Sequence, residues 1–105
     1  MLQITEEILQ KDRFMLYIHT PFCGTCHVAR SMLDKIETTH RTHLFYEMNA
    51  SLFPEFMHEH QIESVPCLLI KDQGEVKEKV YAFRSIANIY KYLLAYKPEL
   101  FSSDD

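Results

Sequence analysis

Residues 14–26 read FMLYIHTPFCGTC, and this segment combines an apolar run, a proline-bearing turn and two cysteines three positions apart. The continuous apolar run at 14–18 predicts a strand that is buried on both faces. The apolar spacing i, i+3, i+4, i+7 after the cysteines predicts a helix from about Cys23 to about Thr38, and it is set by Ala29, Met32, Leu33 and Ile36. The first cysteine is therefore expected where a buried strand gives way to a helix.

The rest of the chain predicts an ordered alternation of strands and helices around this segment. A strand at 44–48 would complete a β-α-β unit, and such crossovers are nearly always right-handed and parallel. Upstream, Thr5 is placed to begin a short helix after a short first strand. Downstream, the pattern predicts a helix from Leu52 to His60, a strand from Pro66 to Ile70, a turn from Lys71 to Glu75 in which Gly74 takes positive φ, a paired strand from Val76 to Ala82, and a last helix capped by Ser85.

Composition is that of an ordinary globular chain and excludes several partners. The length of 105 residues predicts a single domain, 1–105, with a polar tail at 102–105. Hydrophobic residues make up 47% of the chain and charged residues 25%. A net charge of −4 without a basic stripe argues against nucleic acid. The first residues lack a basic n-region, and no apolar stretch is long enough for a membrane span. We therefore expect a cytoplasmic protein without membrane contact.

The cysteine pair suits redox chemistry at the predicted position. Helix-end N–H groups and the helix dipole stabilise negative charge, which favours a nucleophilic thiolate at Cys23. Cys26 lies one turn inward, so it should be more buried and able to resolve a mixed disulfide. Gly24 is expected to let the backbone turn tightly and to leave Cys23 open to a partner. A C-x-x-C pair beside a β-α-β pattern is typical of thioredoxin-like redox motifs.

The chain resembles the thioredoxin family along nearly its whole length. The matching segments are Thr20–Cys26, Met48–Ala50, Ser64–Ile70 and Lys71–Val76. The resemblance implies an α/β thioredoxin fold, with a central mixed sheet of four to five strands flanked by helices on both faces. It also implies a cis peptide bond before Pro66, which would pack against the cysteine pair and leave the backbone of Val65 free to pair with an extended substrate.

The function implied by the resemblance is thiol–disulfide exchange with protein disulfides, as a reductase rather than an oxidase. Cys23 would be the nucleophile and Cys26 the resolving thiol. No organic cofactor is expected, electrons would come from a thioredoxin reductase or a low-molecular-weight thiol, and the protein would be a monomer. The substrate contacts carried over from the family are Pro21, Phe22, Gly24, Thr25, Val65 and Pro66.

The sequence departs from the family pattern at several positions near the cysteines. Phe22 replaces a tryptophan, and Tyr17 stands where the family has a buried aspartate that relays a proton to the second cysteine. Glu47 stands where a neighbouring strand normally offers a lysine. One hypothesis is that Glu47, with a pKa raised by burial, takes the proton from Cys26; the alternative is that it points to solvent. Thr25 replaces proline or histidine, which predicts an intermediate reduction potential.

Four other interpretations of the cysteines and of the chain remain open. Cys67 follows Pro66 and is either a packed, inert thiol or a third thiol near the pair. With Cys23 and Cys26 it would supply part of a zinc or iron–sulfur site. Cys23-Gly24-Thr25-Cys26-His27 also matches the C-x-x-C-H pattern of haem attachment. A thioredoxin-like binding module without redox turnover is a further alternative.

Overall fold

The computed structural model describes residues 1–102, so the expected polar tail lies outside the described residues except for Ser102. The strands are β1 (Leu2–Gln3), β2 (Phe14–His19), β3 (Tyr46–Asn49), β4 (Cys67–Asp72) and β5 (Glu75–Val80). The helices are α1 (Glu6–Leu9), α2 (Gly24–His40), α3 (Pro54–Glu59) and α4 (Ile86–Tyr96). Short 3₁₀ helices follow β3, at Ala50–Leu52, and α4, at Pro98–Phe101.

The strands form one mixed sheet in the order β1-β3-β2-β4-β5. Strand β3 runs parallel to both β1 and β2, as a right-handed β-α-β crossover requires. Strand β4 is antiparallel to β2 and to β5, and β5 follows it through a hairpin. The α/β fold with a central mixed sheet is therefore confirmed, with five strands in residues 1–102.

Helices cover both faces of the sheet, because the central strands are apolar on both sides. One face packs against α2 and α4. The side chains buried between this face and the helices include Tyr17 and Leu68 from the sheet and Leu33 and Ile89 from the helices. The opposite face packs against α1 and α3, and its buried side chains include Leu16, Ile18, Met48 and Cys67. Tyr17 and Ile18 are both fully buried, which is the signature of a central strand covered on both sides.

Several predicted elements have other bounds in the structure, two of them for identifiable reasons. Strand β3 begins at Tyr46 rather than Leu44, because the Glu37 carboxylate accepts the N–H groups of Leu44 and Phe45 at 2.8 and 3.1 Å. The helix predicted from Leu52 to His60 is divided into a 3₁₀ turn and α3, which begins at Pro54. Proline suits the first turn of a helix, since its missing N–H has no helical partner there.

Candidate active site

The cysteine pair lies at the junction of β2 and α2. Cys23 has an extended backbone (φ −104°, ψ 107°) and is the N-cap of α2, with its sulfur accepting the Cys26 N–H at 3.2 Å. The two cysteines are joined by a disulfide, and their Cα atoms are 5.2 Å apart. Cys26 is only 4% exposed, whereas Cys23 is partly exposed. The predicted arrangement of an outer sulfur and an inner sulfur is therefore present.

Polar groups surround the outer sulfur. Besides the Cys26 N–H, the Thr25 hydroxyl lies 3.4 Å from the Cys23 sulfur. Both groups belong to the first turn of α2, where the unpaired N–H groups and the dipole favour negative charge. This environment would stabilise a thiolate on Cys23 once the disulfide is reduced.

The Val65–Pro66 segment faces the cysteine pair from the loop before β4. The peptide bond between these residues is cis, as the resemblance implies. The Val65 carbonyl oxygen lies 4.0 Å from the Cys23 sulfur. A groove of about 370 Å³ runs beside the pair, and its lining includes Thr25, Val28, Val65, Pro66, Tyr81 and Phe83.

The loop before Cys23 presents an exposed apolar side chain. Phe22 is 99% exposed, and Pro21 beside it is also exposed. Gly24 follows the nucleophile position as the first residue of α2, and apart from its chain neighbours and the backbone of its own helix, no atom of the described residues lies within 4 Å of a Cβ placed there. Its φ is not positive, so the backbone conformation there does not itself require a glycine. The space around it is open, however, as expected.

Tyr17 occupies the position of the missing family aspartate, and it contacts the cysteine pair through the backbone of Cys26. Its side chain is fully buried, and its hydroxyl donates a hydrogen bond to the carbonyl oxygen of Cys26. The ring stacks on His19 at 5.5 Å and meets Phe83 edge-on at 6.1 Å, both measured between centroids. The Arg30 guanidinium lies 5.6 Å from the centroid of the Tyr17 ring. Burial raises the pKa of Tyr17 to about 12, so its hydroxyl stays protonated.

Glu47 is paired with a cation rather than held as a neutral acid. Its two carboxylate oxygens accept hydrogen bonds from Arg30 at 2.7 and 3.4 Å, and His19 Nε2 lies 3.4 Å from one of them. The hydrogen bond from Arg30 lowers the pKa of Glu47 despite partial burial. The expectation of a raised pKa is therefore wrong, and so is the alternative that the side chain points freely to solvent. An acid with a lowered pKa is a poor proton acceptor at neutral pH.

Arg30 and His19 are the site residues that the sequence analysis missed. Arg30 lies one helical turn after Cys26, on the same face of α2, and this i, i+4 relation was visible in the sequence. The position of Glu47 follows from the parallel register, which pairs it with Tyr17. His19 ends β2 on the same side of the strand as Tyr17 and stacks on it. The period-two alternation of β2 was therefore the signal for His19.

Cys67 packs on the opposite face of the sheet from α2. It is a free thiol with no exposed surface, buried among Ile18, Met48 and Leu69. Burial raises the pKa of Cys67 to about 12, which suits a packed, inert thiol. Within residues 1–102, no group of three or more His, Cys, Asp or Glu side chains is placed to hold a metal ion. The geometry thus gives no support to a metal site built from Cys23, Cys26 and Cys67.

Comparison with known proteins agrees with the fold and the cysteine pair. The thioredoxin family model matches residues 3–95. The chain belongs to the thioredoxin family. It is similar to the thioredoxin-like protein YusE of Bacillus subtilis, with 39% identity over 85 residues that cover 81% of this chain and 80% of that protein.

Solved thioredoxins share the fold at low sequence identity. A mutant thioredoxin from Halobacterium salinarum superposes with a TM-score of 0.73 and 13% identity, covering 90% of this chain and 87% of that one. The oxidised mitochondrial thioredoxin 3 from Saccharomyces cerevisiae gives 0.74 and 14%, covering 90% and 94%. This thioredoxin-family protein has a cysteine pair of the redox type, which supports a thiol–disulfide redox function.

In residues 1–102, no helix combines the length and the apolar character needed to cross a bilayer.

Proposed function

We propose that this thioredoxin-family protein is a protein-disulfide reductase in which Cys23 is the nucleophile and Cys26 the resolving thiol. One observation carries the proposal: the partly exposed Cys23 sulfur is the N-cap of α2 and accepts the Cys26 N–H, while the Cys26 sulfur is buried directly behind it. An accessible sulfur stabilised as a thiolate, with a second sulfur within bonding distance, is what thiol–disulfide exchange requires.

The proposed reaction has two exchange steps. The Cys23 thiolate attacks one sulfur of a substrate disulfide; the S–S bond breaks, and the leaving sulfur departs as a thiolate that takes up a proton. A mixed disulfide now joins Cys23 to the substrate. The Cys26 thiol loses its proton and attacks the Cys23 sulfur, which releases the second substrate thiol. Two electrons have passed to the substrate, and Cys23 and Cys26 are left as the disulfide.

Substrate recognition would use the surface around the outer sulfur. Phe22 and Pro21 offer exposed apolar contact, and the groove lined by Thr25, Val65 and Pro66 begins beside the pair. Open space at Gly24 would allow a substrate chain to approach Cys23 closely. The backbone of Val65 would pair with an extended substrate segment, which is a form of strand addition.

The proposed direction of electron flow, towards the substrate, and the proposed electron donors are those expected in a reducing compartment. A free Cys67 thiol in the same chain as a redox pair suits the cytoplasm, where thiols are kept reduced. The protein would work there as a monomer, without an organic cofactor. It would receive electrons from a thioredoxin reductase or a low-molecular-weight thiol. The net charge of −4 is consistent with protein substrates and not with nucleic acid.

The test is the reduction of insulin disulfides with dithiothreitol as the electron donor. We expect wild-type protein to accelerate the reaction well beyond dithiothreitol alone and Cys23→Ser to abolish the acceleration. Reduced Cys26→Ser, mixed with insulin after dithiothreitol has been removed, should accumulate a mixed disulfide on Cys23. The matched control is Cys67→Ser, which should retain activity. Wild-type protein that performs no better than dithiothreitol would refute the proposal in favour of a redox-inactive binding module.

A further inference from the structure

We propose that Tyr17 is a positioning residue for the redox pair, in that its hydroxyl fixes the Cys26 backbone and so keeps the Cys26 N–H directed at the Cys23 sulfur. The inference rests on the proposed function, since it assigns a role within thiol–disulfide exchange. Tyr17 lies in β2, nine positions before Cys26, and its hydroxyl reaches across to the first turn of α2.

Both backbone polar groups of Cys26 are engaged by the site. Its carbonyl oxygen accepts the Tyr17 hydroxyl, and its N–H is shared between the sulfur and the carbonyl oxygen of Cys23, each at 3.2 Å. A carbonyl oxygen has two lone pairs, so the Tyr17 bond is compatible with the helical bond that this oxygen accepts in α2. Tyr17 thus joins the first turn of α2, where the outer sulfur sits, to the central strand of the sheet.

The Tyr17 ring is held on several sides, which makes its hydroxyl a fixed reference point. His19 stacks against the ring, Phe83 meets it edge-on, and the Arg30 guanidinium lies over it. Glu47 in turn holds Arg30 through a two-point carboxylate–guanidinium pair. The backbone of β2 is paired on both sides, with Tyr17 opposite Glu47 in β3 and Leu68 in β4. A hydroxyl fixed in this way restricts the Cys26 backbone more than a loop residue would.

Loss of the hydroxyl should weaken the stabilisation of the Cys23 thiolate. A hydrogen bond to the charged form of a group lowers the pKa of an acid, and a poorly aligned donor contributes less. We therefore expect Tyr17→Phe, which keeps the buried ring, to raise the pKa of Cys23 by roughly half a unit. At a pH below that pKa, the thiolate fraction and the alkylation rate should then fall about threefold.

The chain offers a matched control at the other end of the same helix. The Tyr90 hydroxyl contacts His40 Nε2 at 2.9 Å, and His40 is the last residue of α2. Tyr90→Phe removes one tyrosine hydroxyl and one hydrogen bond to α2, but far from the cysteines. We expect it to leave the pKa of Cys23 unchanged, even if it lowers stability as much as Tyr17→Phe does.

The experiment measures alkylation of the reduced proteins by iodoacetamide against pH, with peptide mass spectrometry assigning the label to Cys23. A pKa rise in Tyr17→Phe but not in Tyr90→Phe supports the inference, and equal values in the two variants and wild type overturn it. The assay needs no substrate, so a failure of insulin reduction, which would refute the proposed function, leaves this result readable.

A second measurement uses wild-type protein and needs no variant to fold. In NMR spectra of labelled protein, compared between samples whose backbone amides carry the same isotope, exchange of the Tyr17 hydroxyl hydrogen for deuterium should shift the carbonyl carbon resonance of Cys26. This isotope effect reports the hydrogen bond directly. If that resonance does not respond, the bond is not maintained in solution and the positioning role is refuted.

Discussion

Replacing Glu47 with glutamine should lower the free energy of unfolding at neutral pH. This difference from wild type should disappear in acid. Glutamine keeps the shape and one acceptor oxygen but removes the charge that pairs with Arg30. The pair is geometrically favourable, with contacts of 2.7 and 3.4 Å, and His19 Nε2 adds a third contact at 3.4 Å. The perturbation therefore isolates the charge of one carboxylate inside a defined cluster.

The magnitude follows from the exposure of the pair. Exposed ion pairs contribute about 0–1 kcal/mol, and hydrogen bonds to charged groups reach roughly 1.5–3 kcal/mol when buried. The side chains of Arg30 and Glu47 are 33% and 19% exposed, so solvent screens part of the attraction. We expect a loss of about 1 kcal/mol in the free energy of unfolding. This corresponds to a fall of about 4 °C in Tm for a domain of this size.

The pH dependence has a definite sign. Hydrogen bonding by Arg30 lowers the pKa of Glu47 in the folded state below its unfolded value of about 4.3. The charge of Glu47 therefore contributes stability that is fully present above that unfolded value and is lost as pH falls through the folded-state pKa. The difference between wild type and Glu47→Gln should shrink to zero over this acidic range.

Urea unfolding of oxidised wild type and Glu47→Gln at a series of pH values is the assay, with the expected difference in midpoint roughly 0.3–1 M at neutral pH. Glu75→Gln is the control, because Glu75 pairs with Lys77 at an exposed position and should give no measurable change. A Glu47→Gln variant that equals wild type at neutral pH, or whose deficit persists in acid, would refute the electrostatic account.

Other predictions concern the turn, the core and the redox pair. Gly74→Ala should cost about 1–2 kcal/mol in urea unfolding, because Gly74 has a φ of 77°, and an unchanged midpoint would contradict this strain. Leu33→Ala should lower the free energy of unfolding by about 2–5 kcal/mol, far more than Leu94→Ala on the exposed side of α4. Equal losses in the two variants would contradict the burial of Leu33 in the core. The reduction potential should lie between about −270 and −180 mV when equilibrated against glutathione, since Thr25 is neither proline nor histidine. Iodoacetamide should leave Cys67 unlabelled in the folded, reduced protein, and labelling there would show that the thiol is accessible.

Much of the fold was predictable because strong local patterns agree with the tertiary structure. The apolar run at 14–18 is β2, and the 3.6-residue spacing after Cys23 is α2, which ends at His40. Ser85 caps α4 as predicted, with its hydroxyl oxygen accepting the Asn88 N–H. The start of β3 was not predictable, because the Glu37 side chain near the end of α2 accepts the N–H groups of Leu44 and Phe45, just before the strand. A bond from a side chain to the backbone of the following loop leaves no periodic signal.

The candidate site was predictable as a position but not as an electrostatic environment. Cys23 and Cys26 lie where a strand-to-helix junction places them, and Pro66 follows from the resemblance. The charge state of Glu47 depended on Arg30, which is 17 positions away in sequence and close only through the packing of α2 on the sheet. Burial alone would raise the pKa of a carboxyl, so a prediction made without the counter-charge had the wrong sign.

The packing of Cys67 has a consequence for the fidelity of the redox cycle. Pro66 lines the groove beside Thr25, whereas the next residue directs its sulfur into the core on the far side of β4. The sheet therefore separates the Cys67 sulfur from the Cys23–Cys26 pair, although Cys67 directly follows a residue of the groove beside that pair. Repeated oxidation can close the Cys23–Cys26 bond without a competing thiol at hand, so dead-end mispaired species should not accumulate while the fold is intact.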